Sequence, residues 1–161
     1  MRDFLSWMES SALGQLMRDA GPWNYAVVNL THVFGVAALF GSILVLDLRL
    51  LGLWRRVPIA PLASATVPVG KAGVAVALTT GVLLLATNGS EYIGNPFLLL
   101  KFPAIAAGLI NVFVLSRTAA WKARGERELS RAEIRQLRVM GGISLVSWVT
   151  AVTAGRMIAY W

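Results

Sequence analysis

The chain has no cysteine among its 161 residues. That absence excludes disulfides, thiolate-bound metal, iron–sulfur clusters, thioether-linked haem and cysteine nucleophiles. Histidine is nearly as scarce. His32 stands alone, so neither a bis-histidine haem nor a multi-histidine metal path can be built within one subunit. Charge is thin too: 14% of residues are charged, against the ~25% usual for a soluble domain. Such a surface is not made for water. With 57% apolar residues and a mean hydropathy of +0.65, a bilayer is the simpler solvent.

The net charge of +7 does not point to nucleic acid. The basic residues crowd into two short stretches between apolar runs, Arg55-Arg56 and Arg117 to Arg138. That is the pattern of membrane topology, not of a basic binding face on a soluble body. Crossing the hydrocarbon takes about 20 apolar residues. Four stretches qualify, at roughly 23–46, 67–86, 96–115 and 139–160, with the first helix continuing to about Trp54. The connection between the second and third, residues 87–95, carries no Lys or Arg. The positive-inside rule therefore puts both basic loops in the cytoplasm and both termini outside. Trp7, Trp23, Trp54, Trp121 and Trp161 fall near the expected interfaces, as an aromatic belt would.

Before the first span, residues 3–20 read as one amphipathic helix. Phe4, Leu5, Met8, Ala12 and Leu16 share an arc, with Arg2, Ser6, Glu9 and Ser10 opposite or flanking. Gly21-Pro22 breaks it. Ser130 and Glu133 have the spacing of a capping box at the start of the last helix. The expected fold class is all-α: an integral membrane four-helix bundle with an N-terminal amphipathic interfacial helix, one domain over residues 1–161.

Ionisable groups at membrane depth are costly, and each is a functional hypothesis. His32 lies nine residues past Trp23, roughly 13 Å below the outer interface. Lys101 lies five residues past Pro96, and Arg156 five before the end, each roughly 7 Å deep. A base and two cations from three helices are thus expected to converge in the outer half. With no carboxylate at that level, the missing anion belongs to a ligand: haem propionates first, then a lipid phosphate or a quinone head group. At the other end, Asp47, Arg49 and Lys71 read as a structural ion-pair group near the headgroups, with the cations snorkelling. Asn29, Thr80 and Asn111 are expected to hydrogen-bond between helices.

The stretches "WMESSALGQLMRDAGPW", "VVNLTHVFGVAALFGSILVLDLRLLGL", "YIGNPFLLLKFPAIAAGLINVF" and "WVTAVTAGRMIAY" resemble a bacterial family of small four-helix membrane proteins, the DUF6644 family. The resemblance covers nearly the whole chain and implies no established activity. It places the protein in the bacterial inner membrane. More distantly, the His-x-x-Gly of the first span and the Leu-Lys opening the third are similar to CopD-type copper-resistance proteins and HemJ-type protoporphyrinogen oxidases. In the HemJ-type proteins these positions belong to a haem-linked site, which implies that role for His32 and Lys101.

Three readings follow. In the first, His32 ligates b-type haem and Lys101 and Arg156 neutralise its propionates. The sixth position is then empty, or taken by Met157, or by His32 of a second copy in a homo-oligomer. The second is copper handling by His32 with Met8, Met17 and Met157, although packing explains the methionines more cheaply. The third is a non-catalytic subunit of a membrane complex that docks through its amphipathic helix or basic loop. No paired carboxylates or nucleophile elbow support hydrolysis.

Overall fold

The computed structural model describes residues 2–161 and is helical throughout, with no strand among them. Seven α-helices follow one another. They are α1 (Arg2–Ser10), α2 (Ala12–Asp19), α3 (Gly21–Leu51), α4 (Ile59–Thr87), α5 (Pro96–Arg117), α6 (Ala119–Lys122) and α7 (Arg131–Met157). Four of them, α3, α4, α5 and α7, are long and apolar enough to cross a membrane. The chain is a multi-pass membrane protein. One end of the bundle carries the Arg-rich connections after α3 and α5. The other carries both termini and the short 3-10 turn Gly89–Tyr92.

Local chemistry accounts for where each helix begins and ends. The N-terminal segment is two helices, not one. Ser11 turns to extended backbone and caps α2, its hydroxyl accepting from the Gly14 amide at 3.3 Å and donating to the Met8 carbonyl at 2.5 Å. Gly52 closes α3 with a left-handed φ of 113°, so the helix stops at Leu51 and does not run on to Trp54. The second span begins at Ile59, well before residue 67. Pro61 falls in the first turn, where an amide has no helical partner anyway, and Pro68 is carried inside α4. Asn95 caps α5 by accepting from the amides of Phe97 at 2.9 Å and Leu98 at 3.4 Å. At α7 the capping box forms as the spacing predicts. Ser130 accepts from the Glu133 amide at 3.3 Å, and Glu133 from the Ser130 amide at 2.9 Å.

Small residues let the long helices meet. A side chain on Gly73 of α4 would come within 2.9 Å of the Leu39 Cα and 2.8 Å of the Gly35 carbonyl oxygen on α3. Gly108 of α5 lies under the indole of Trp148 on α7, and Gly141 of α7 against Leu50 of α3. The bundle is therefore two pairs, α3 with α4 and α5 with α7, joined where α3 meets α7. Although consecutive in sequence, α4 and α5 make little contact. Leu39, Ala104, Trp148 and Ala151 form the core at mid-depth, and Leu46, Leu50, Ala63, Leu115, Ala120 and Leu137 the core near the basic end.

Candidate functional site

His32 lies on the face of α3 that packs against α4. Its Nδ1 is 2.9 Å from the hydroxyl of Thr80. That hydroxyl already donates its one proton to the Val76 carbonyl at 2.6 Å. With that proton committed, the contact fits the imidazole tautomer protonated on Nδ1. Gly81, the residue after Thr80, makes room: a Cβ there would stand 3.3 Å from the imidazole Cε1. Hydrogen-bonding one ring nitrogen to set the other free is how proteins present a histidine to a ligand.

Lys101 lies on α5 nearly two turns past the Asn95 cap and packs along α7. Its Nζ is 3.3 Å from where a Gly155 Cβ would stand, so the glycine gives it room. Among the described residues the ammonium has no carboxylate partner; the single ion pair present is Arg127 with Glu133, at 2.7 Å.

Arg156 goes elsewhere. Its guanidinium sits 4.8 Å from the ring centre of Tyr160, one turn on, and donates to that phenol oxygen at the exposed end of α7. Met157 beside it is 37% exposed. Of the four residues that sequence reasoning groups together, His32 packs on α4, Lys101 packs on α7, and Arg156 and Met157 lie at the surface. Two tyrosines close the same end. Burial, then the neighbouring Tyr25 of α3, pushes the Tyr92 phenol up to about 12.

Near the basic end, Asp47, Arg49 and Lys71 do not form an ion pair. Asp47 and Arg49 are two positions apart on α3, about 200° around the helix, and so face opposite ways. Arg49 donates to the carbonyls of Val57 at 2.5 Å and Arg55 at 3.2 Å, clamping the loop after α3. Lys71 is exposed on α4. Asp47 is 3% exposed, set toward Ser144 of α7, with its Oδ2 unpartnered. Of the expected interhelical hydrogen bonds, Thr80 makes the one to His32 and Asn111 donates to the Met140 carbonyl at 3.0 Å. Asn29 is exposed.

The methionines offered for copper are mostly spent on packing. Met8 and Met17 are buried under α1 and α2, and Met17 sulfur accepts from the Asn24 amide at 3.3 Å. Among the described residues no group of three or more His, Asp or Glu is placed to hold a metal ion. Thr80 is what sequence reasoning underrates. It is one hydroxyl among many in the sequence, and only the pairing of α3 with α4 gives it the imidazole.

Comparison with known families gives one match, to the family described as "Family of unknown function (DUF6644)", over residues 4–161. No curated protein and no solved structure matches.

Proposed function

We propose, from the premise that this chain belongs to the DUF6644 family, that it is a bacterial inner-membrane protein holding an anionic cofactor, b-type haem first, between His32 and Lys101. The observation that carries this reading is the Thr80 contact to Nδ1 of His32, an arrangement in which Nε2 would be the nitrogen offered to a ligand inside the membrane. An imidazole would suit the iron of a haem and an ammonium one of its propionates. Bound haem would supply one-electron chemistry.

The residues of the chain do the rest. His32 Nε2 would hold the iron, and Thr80 would keep the ring in the ligating tautomer. Lys101 would neutralise a propionate. Arg156 could join only by releasing Tyr160. A bis-histidine site would take its second imidazole from a second copy, since each chain has one histidine. The Arg-rich end faces the cytoplasm and both termini lie outside. Copper handling is the weaker reading, because Met8 and Met17 are enclosed by packing.

Protein purified in detergent from a haem-replete host is expected to show the Soret band of a b-type cytochrome. His32→Ala should abolish it, and Lys101→Met should weaken haem retention while the band position holds. A colourless wild-type protein that takes up no haem on titration overturns the reading.

A further inference from the structure

The outer site leaves unused the most enclosed ionisable group in the spans. Asp47 is 3% exposed, and its Oδ2 has no hydrogen-bond partner. Placing a carboxyl group there is expensive, and an unpaired oxygen adds to the cost. It is not a member of a structural ion pair. From its own helix, the Arg49 guanidinium is held on the carbonyls of Val57 and Arg55. From α4, Lys71 is exposed. From α7, Arg138 reaches the turn at Gly52, 3.8 Å from where a Cβ there would stand, and what faces Asp47 is the hydroxyl of Ser144. Asn111 of α5 is committed to the Met140 carbonyl. The carboxyl meets one hydroxyl and no cation.

Its place in the bundle is equally particular. Asp47 is four residues before Leu51, where α3 ends, so about 6 Å separates it from the level of the loop. It stands where the two helix pairs are joined. Gly141, one turn before Ser144 on α7, brings the backbones together: a Cβ there would be 3.4 Å from the Asp47 carbonyl oxygen. A group that takes and releases a proton, enclosed between helices one turn from water, has the position of a proton-loading site.

We propose that Asp47, with Ser144, is a proton-exchanging site at the α3–α7 contact, in communication with the Arg-rich end of the bundle. The step is a bare proton transfer. A proton passes from water at that end to a carboxylate oxygen of Asp47, Ser144 holds the other partner position, and the same proton returns by the same route. No electron moves and no other bond breaks. The proposal is independent of the outer site.

Infrared difference spectroscopy of the full chain reconstituted in phospholipid bilayers tests it, using pH jumps in H2O and in D2O. The wild type is expected to show a carboxylic C=O band that changes with pH and shifts on deuteration. Asp47→Asn should remove that band, and Ser144→Ala should displace it by removing the neighbouring hydroxyl. Absence of such a band in the wild type, or its persistence unchanged in Asp47→Asn, overturns the proposal. Should Asp47→Asn fail to fold, Ser144→Ala decides alone: a displaced band supports the assignment and an unmoved one overturns it.

Discussion

Gly73 shows how little freedom a single position has in this bundle. The atoms that a Cβ would meet there belong to the backbone of α3, namely the Leu39 Cα and the Gly35 carbonyl. Backbone cannot rotate out of the way, so a larger residue must part the two helices. Gly73→Leu is expected to destabilise the detergent-solubilised protein by about 3 kcal/mol, read as a lower thermal midpoint of helical circular dichroism. Gly41 offers the control. It has open space around it, and Gly41→Leu should leave the midpoint near that of the wild type. The same closeness of α3 and α4 lets Thr80 reach His32, so packing and site chemistry depend on the same contact.

Among the elements, the α1–α2 pair is tied down more firmly than an interfacial helix resting on lipid would be. Glu9 accepts from the Ser90 amide at 2.5 Å, and Arg18 donates to the carbonyls of Thr87 at 3.2 Å and Glu9 at 2.9 Å. Phe4, Trp7, Leu13 and Leu16 stay exposed, as an apolar face lying along a membrane surface would. The Ser90 hydroxyl and amide hold the Glu9 carboxyl below its ordinary value of 4.5. A depressed folded-state value means that the tie contributes stability above about pH 4.5, and that this contribution is lost as pH falls through the folded value. Hydrogen exchange of the 86–95 segment, corrected for intrinsic rates, should therefore show extra protection at pH near 6 that fades at pH near 3. In Glu9→Gln that difference should be absent.

For the whole molecule, orientation is the claim most open to a clean measurement. The chain has no native cysteine, so any introduced thiol reports only its own position. Ser90→Cys, in the exposed turn between α4 and α5, should react with a membrane-impermeant maleimide added to intact cells. Lys122→Cys, exposed after α5, should react only once the inner membrane is opened. The reverse pattern would invert the protein and place His32 and Lys101 in the cytoplasmic half. The two helix pairs are joined through the α3–α7 contact, and Asp47 lies on it.

Sequence by itself was enough for the class of molecule, the number of spans and the cap of α7. Each of these follows from local chemistry: run length against bilayer thickness, and side chains that reach amides two or three positions away. The isolated histidine and the lysine of the third span were legible for the same reason, since burying a polar group in lipid stands out in one dimension. Direction around a helix was not. Whether Arg156 turns inward or stacks on Tyr160, whether Asp47 meets Arg49 or Ser144, and which hydroxyl meets His32 all depend on which helix lies beside which. Those neighbours are chosen by where glycine lets two backbones close, so only the tertiary structure decided them.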